Sequence, residues 1–218
     1  FCTMVTRNGK IKRVALSQFE AVRPSGLIAI GLAPDDELGW VHLTVDNQHI
    51  IIITEQGQAL RFNSSVVRSM GRPAAGVKAI NLRKDDRISG MVTVIEDGEL
   101  LVVTANGYGK RTAMAAYNPK GRATMGVTTF SRKAVAKVTG PIVDVRSVQP
   151  DDQITIISAN GQALRTTVAD IRLLGRATQG TRLMNLKPGD HVASVARIAA
   201  SDIPTQEIVE VTIEPTAT

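Results

Sequence analysis

An all-β fold of four repeated units, each holding about four short strands, is what this sequence predicts, on three observations. Glycines with the look of tight turns, Gly9, Gly57, Gly107 and Gly161, recur at spacings of 48, 50 and 54 residues. Each follows an apolar run that ends in Thr or Ser, as in Ile51-Ile52-Ile53-Thr54 and Leu101-Val102-Val103-Thr104. Each is followed at fixed offsets by an arginine (Arg13, Arg61, Arg111, Arg165) and by a large apolar or aromatic residue (Phe19, Val67, Tyr117, Ile171). Three of the units then carry Gly-Arg-x-x-x-Gly: Gly71-Arg72 to Gly76, Gly121-Arg122 to Gly126, and Gly175-Arg176 to Gly180. In the first unit this box is two residues shorter and reads Val22-Arg23-Pro24-Ser25-Gly26. Four-stranded units repeating at roughly 40–50 residues are the mark of propeller blades. The units span residues 1–48, 49–97, 98–150 and 151–200, followed by a tail, 201–218.

The elements of one unit follow in order. The first two strands form a hairpin, and Asn106-Gly107 favours a two-residue type I′ turn, in which both residues take positive φ. Beyond the box a strand-like run begins at 27–30, 77–80, 127–130 and 181–184. An Asp-containing turn follows in three units, at Asp35-Asp36, Asp85-Asp86 and Gly189-Asp190. A β-branched and apolar run, such as 88–95, closes the unit. The stretch 131–140 is longer than its counterparts and reads as an extended loop or hairpin. In the tail, 208–213 reads as one edge strand or as disorder.

Composition narrows the function. The chain is 43% hydrophobic and only 3% aromatic, so Val, Ile, Leu and Ala build the core. Its single cysteine, Cys2, excludes an internal disulfide and suits a reducing compartment. No apolar run approaches the ~20 residues of a membrane span. Phe1 falls inside the first strand-like run, so the native chain is expected to continue upstream. Up to residue 200 the chain holds 26 basic against 16 acidic residues, a balance of +10, while the tail carries Asp202, Glu207, Glu210 and Glu214 and no basic residue. A basic body with an acidic tail points to an anionic partner, nucleic acid being the commonest.

The candidate phosphate contacts recur with the units. The first supplies Lys10, Lys12 and Arg13; the second Arg61, Arg68, Arg72 and Lys78. The third, the most basic, supplies Lys110, Arg111, Lys120 and Arg122; the fourth Arg165, Arg172, Arg176 and Arg182. A loop with glycine at each end exposes amide donors and places an arginine at its tip, which suits a phosphate oxygen. Repeated around a disk, such loops make a basic perimeter along which duplex DNA bends, held by phosphate contacts with little base reading. The competing reading is that Gly and Arg close the blade and bind a neighbour's carboxylate.

No enzyme signature competes. The phosphate loop, the His-Glu-x-x-His helix and the Gly-x-Ser-x-Gly elbow are all missing from the sequence. His42, His49 and His191 lie in strand-like runs and read as structural; no metal site is expected, since no Cys or carboxylate stands at ligand spacing. Trp40 reads as core packing or a blade-edge contact rather than a base-stacking residue, and Tyr117 reads as core. A protein-binding propeller scaffold is the alternative function, but it would want exposed aromatic anchors that this composition scarcely offers.

The segments Val102-Thr-Ala-Asn-Gly-Tyr-Gly-Lys-Arg-Thr112, Gly57-Gln-Ala-Leu-Arg-Phe62, Gly121-Arg-Ala-Thr-Met-Gly-Val127 and Gly175-Arg-Ala-Thr-Gln-Gly180 resemble the C-terminal domain of DNA gyrase A, with the related topoisomerase IV domain next. The resemblance implies a β-pinwheel, a propeller-like disk whose neighbouring blades exchange a strand. These four units resemble the last four of six, and the family's Gly/Arg-rich box of the first blade is not in this sequence. It also implies a non-catalytic part of a type II topoisomerase that wraps DNA around its rim to support negative supercoiling. The implied partners are duplex DNA, the rest of gyrase A, and gyrase B, in a heterotetramer, without a membrane, in the bacterial cytoplasm. No cofactor is implied for this part; ATP and Mg2+ serve the holoenzyme elsewhere. The tail's carboxylates are expected to compete with DNA for the rim.

Overall fold

A computed structural model of the chain describes residues 1–22 and 24–202; the proposed tail strand lies outside the described residues. The first unit holds β1 (Cys2–Thr6), β2 (Lys10–Val14) and β3 (Leu38–Leu43). The second holds β4 (His49–Thr54), β5 (Gln58–Asn63), β6 (Val77–Lys78) and β7 (Ile88–Thr93). The third holds β8 (Glu99–Thr104), β9 (Tyr108–Ala113), β10 (Val127–Thr128) and β11 (Ile142–Val148). The fourth holds β12 (Gln153–Ser158), β13 (Ala163–Thr167), β14 (Thr181–Arg182) and β15 (Val192–Ile198).

Four antiparallel sheets result, with strand orders β3-β1-β2-β6, β10-β5-β4-β7, β11-β8-β9-β14 and β13-β12-β15. The short strand after each box never joins its own sheet. β6 pairs with β2 of the unit before it (Lys10 opposite Lys78), β10 with β5, and β14 with β9. The equivalent run of the first unit, 27–30, forms no strand, because no preceding sheet among the described residues receives it. Among the described residues the fourth sheet accordingly has three strands. The closing strands β3, β7, β11 and β15 pack on one another in sequence and define the axis; the donated strands lie at the outer edges.

The core sits between consecutive sheets. Ile50 and Ile52 pack towards the first sheet and Ile51 and Ile53 towards the third; Leu100 and Val102 face back to the second while Leu101 and Val103 face the fourth. A strand buried on both faces is apolar throughout rather than alternating, which explains the unbroken runs of β4 and β8. Of the three isoleucines of β12, Ile154 and Ile156 are buried and Ile157 is exposed on the outer face of the last sheet. Val67, Tyr117 and Ile171 each plug one of the three interfaces as expected. Phe19, with no preceding unit among the described residues, is only half-buried.

The hairpin turn differs from the expected type I′. Only the glycine has positive φ, as at Gly107 (77°), and its amide bonds the carbonyl three residues back: Gly9 to Thr6, Gly57 to Thr54, Gly107 to Thr104, Gly161 to Ser158. This is a type I turn followed by a left-handed glycine. The Thr or Ser hydroxyl decides it by accepting the amide just after the glycine, from Lys10, Gln58, Tyr108 and Gln162 at 3.1–3.3 Å. The Asp of each later turn caps the same hairpin: Asp36, Asp86 and Asp190 accept the amides of Asn8, Gln56 and Asn160. The third unit lacks that Asp. There, 131–140 is neither loop nor hairpin but a short helix, α1 (Arg132–Ala134), widening into a π turn over Val135–Thr139, whose Thr139 carbonyl accepts the Asn106 amide instead. A Cβ on Gly107 would stand 2.5 Å from the Met184 carbonyl oxygen. Gly107→Ala, strained in both φ and space, is therefore expected to cost about 1–3 kcal/mol, read as a lower denaturant midpoint.

Candidate nucleic-acid interface

The boxes are seats before they are binding loops. Each is carried by one unit and lies across the outer edge of the sheet before it. Cβ atoms on Gly76, Gly126 and Gly180 would collide with the carbonyl oxygens of Ile11, Ala59 and Gly109, so the loop backbone runs directly on that edge. Beneath the loop lies the residue three after the turn glycine. In the third sheet it is Lys110, fully buried, whose Nζ donates to the carbonyls of Gly175 (2.7 Å) and Arg176 and to Thr178 Oγ1 (3.0 Å). In the first sheet it is Lys12, also fully buried, donating to the Ala29 (2.8 Å) and Arg72 carbonyls. Leu60 takes the place in the second sheet, and Leu164, with no box above it among the described residues, is only half-buried in the fourth. Lys12 and Lys110 were expected to reach phosphate; their ammonium groups are instead enclosed and used up by the loops.

Burial pushes the Lys110 amine down to about 7 from its ordinary 10.5. The unfolded chain keeps that proton up to its ordinary value, so between pH 7 and 10.5 the unfolded state binds more protons and stability rises with pH. Comparing Lys110→Met with the parent in denaturant titrations across that range checks this: the parent is expected to gain on the variant as pH rises.

The arginines four after the turn glycine are staples. Arg13 pairs with Asp46 at 2.5 Å and lies over the Phe1 ring. Arg61 faces Glu96 at 3.6 Å and donates to the Met114 carbonyl of the next unit. Arg111 is 8% exposed, pairs with Glu99 at 2.6 Å, and donates to the carbonyls of Ile171 and Ala169 in the fourth unit. For Arg13, Arg61 and Arg111 the geometry therefore revises the expected phosphate role to a structural one: the carboxylates Asp46, Glu96 and Glu99 belong to each arginine's own unit rather than to a neighbour, and the next unit is reached through Ser65 Oγ and through backbone carbonyls. Arg165, at the same place in the fourth unit, is exposed and bonds only Gln153 Oε1 (2.7 Å).

The other candidates lie outside. Lys10, Arg68, Lys78, Lys120, Arg172 and Arg182 are exposed, and the box arginines Arg72, Arg122 and Arg176 are half-exposed. Among the described residues none of them, nor Arg165, has a carboxylate at ion-pair distance; the ion pairs there belong to Arg7, Arg13, Arg61, Arg111, Arg146 and Arg197. Consecutive boxes are stitched together: Asn81 donates to the Thr124 and Ala123 carbonyls, Arg122 to the Lys78 carbonyl, and Ser131 to the Thr178 carbonyl. Arg182 stacks over Tyr108 and bonds its hydroxyl at 2.8 Å. Box loops of neighbouring units are thus bonded to one another, and the exposed cations they carry have no carboxylate partner among the described residues. Sequence reasoning missed Arg132, Lys133 and Lys137 as a group; α1 and its π turn expose all three. No cluster of potential metal ligands occurs among the described residues, and no helix there is long and apolar enough to cross a membrane.

Comparison with known proteins agrees with this architecture. The family model described as DNA gyrase C-terminal domain, beta-propeller matches residues 3–42, 48–95, 98–138 and 152–199, one segment per unit. The DNA gyrase A protein of Halalkalibacterium halodurans is 54% identical over 91% of the chain, and that of Clostridium acetobutylicum 44% over 93%. The chain covers 23% and 24% of those proteins, so it spans about a quarter of their length. Among solved structures, a DNA gyrase A C-terminal domain superposes with a TM-score of 0.82 at 30% identity, over 90% of this chain and 64% of that one. A DNA topoisomerase IV C-terminal domain gives 0.86 at 30% identity, over 92% and 62%. The chain belongs to the DNA gyrase A C-terminal domain family.

Proposed function

We propose that the chain binds duplex DNA along its outer edge and bends it, contributing to negative supercoiling by a gyrase of which it is one part, without chemistry of its own. The unpaired cations on the stitched box loops carry this reading. Arg72, Lys78, Arg122, Arg176 and Arg182 follow one another on loops whose backbones are fixed by carbonyl, amide and lysine contacts, so little order is lost when a phosphate chain lies across them. Among the described residues the longest helical stretch is the short one over Arg132–Ala134 and Val135–Thr139, which leaves no long recognition helix to read bases and favours sequence-tolerant binding held by phosphates. In this reading the rest of gyrase A, together with gyrase B, forms the partner set and holds the cleavage and ATP chemistry, in the bacterial cytoplasm.

The test is a salt titration on duplexes of increasing length. With ~6–10 phosphate contacts, affinity is expected to fall ~10³–10⁵-fold between 50 and 200 mM salt, and to rise as duplexes become long enough to bend. Length-independent binding would remove bending, and no binding at low salt would remove the reading altogether.

A further inference from the structure

We propose that duplex DNA leaves the outer edge at the third unit and lies over α1 and its π turn, held through phosphate by Arg132, Lys133 and Lys137. Its path then tilts toward one face of the molecule. The proposal rests on the outer-edge reading above and adds a contact that the repeat does not contain.

The hairpin turns share one face. The carbonyls of Arg7, Glu55 and Ala105 accept the amides of Ile88, Ile142 and Val192, each from the following unit, so turn follows turn. The segment that caps each hairpin also lies on this face, and its charge changes from unit to unit. Residues 33–37 hold three acids and no base, 83–87 three bases and two acids, and 187–190 one of each, whereas 131–140 hold three bases and no acid. In the other units an Asp carboxylate does the capping; in the third a neutral carbonyl, that of Thr139, does it, which leaves the spot free of negative charge. The turns at the opposite end of the strands differ in sign. Residues 94–98 and 148–152, which flank the third unit there, hold Glu96, Asp97, Asp151 and Asp152 and no base. Arg61 and Arg197 pair with Glu96 and Asp152, and Asp97 and Asp151 have no such partner among the described residues. A polyanion on the outer edge is thereby favoured to tilt toward α1.

The helix is joined to the outer edge. At its start the Ser131 amide donates to the Thr178 carbonyl in the box of the fourth unit (3.0 Å). Further on, Val138 lines a groove of 220 Å³ together with Tyr108 and Arg182, with Asp190 as its one acid. That carboxylate already accepts the amides of Asn160 and His191. The backbone beneath the three cations is fixed. Asn106 donates its amide to the Thr139 carbonyl (3.0 Å) and its Nδ2 to the Val138 carbonyl (2.7 Å), and Ala134 and Thr139 are buried. Arg132, Lys133 and Lys137 are exposed, with no carboxylate at ion-pair distance among the described residues. Little order is therefore lost when phosphate reaches them.

A salt titration on one long duplex tests this with the whole chain. Changing Arg132, Lys133 and Lys137 together to Gln is expected to flatten the slope of log affinity against log salt by about 1.8–2.7, for about 2–3 lost phosphate contacts, and to weaken binding roughly 30–150-fold near 0.15 M salt. Changing Lys84, Arg87 and Lys187 to Gln removes as much charge from the same face, but from beside Asp85, Asp86 and Asp190, and is expected to cost less than about 3-fold. Equal losses in the two triple variants would overturn the proposal, because net charge alone would then account for both. A steep parent slope that the first triple variant leaves unchanged would overturn it while the outer-edge reading stands. A parent that fails to bind at low salt would remove both.

Discussion

Arg111→Ala is expected to destabilise the protein by about 3–5 kcal/mol, the cost of leaving a buried charge without its partner. Glu99 is 8% exposed and keeps its carboxylate inside once the guanidinium is gone. The carbonyls of Ile171 and Ala169 lose their donors at the same time, and these belong to the next unit. Arg111→Lys is expected to recover little, because one ammonium cannot replace a fork that reaches a carboxylate and two carbonyls together. The same change at Arg165, identical in repeat position but exposed, is expected to stay within ~0.5 kcal/mol. Guanidinium unfolding of the three variants reads this directly, and a large loss at Arg165 would contradict the staple account.

The second large effect concerns binding. Changing Arg72, Arg122 and Arg176 together to Gln is expected to flatten the salt dependence of duplex binding by about 2.7 in slope and to weaken binding about 10²-fold near 0.15 M salt, at ~0.9 counterions per phosphate contact. The fold should survive, because the boxes are held through backbone carbonyls, those of Arg72 and Arg176 on the buried lysines included. An unchanged slope in the triple variant, with the parent binding steeply, would move the phosphate contacts off the boxes.

Much of this was legible because repetition separates signal from accident. One Thr-x-x-Gly means little; four such turns, each with a hydroxyl that accepts the following amide, specify a conformation. The same repetition hid the roles of Lys12, Arg13, Lys110 and Arg111. A lysine at a recurring loop reads as surface until the box of the next unit is seen to lie over it, and that contact links residues 65 and 66 apart, as in Lys110 with Gly175 and Arg176. A clue was available at the same position: Lys12 and Lys110 alternate with Leu60 and Leu164, and a site shared by lysine and leucine is one where the stem is buried. The helix over 132–139 was illegible because it replaces a missing turn carboxylate, a need that exists only in the assembled unit.

Because each sheet is finished by the unit after it, the sheets also mature late during synthesis. Val127 meets Ala59 only after 68 further residues have been added, a wait of roughly 3–14 s at ~5–20 residues per second. Through that interval β5 presents a bare edge on the nascent chain. Order therefore spreads from the first unit to the last as a travelling boundary, always one unit behind the ribosome.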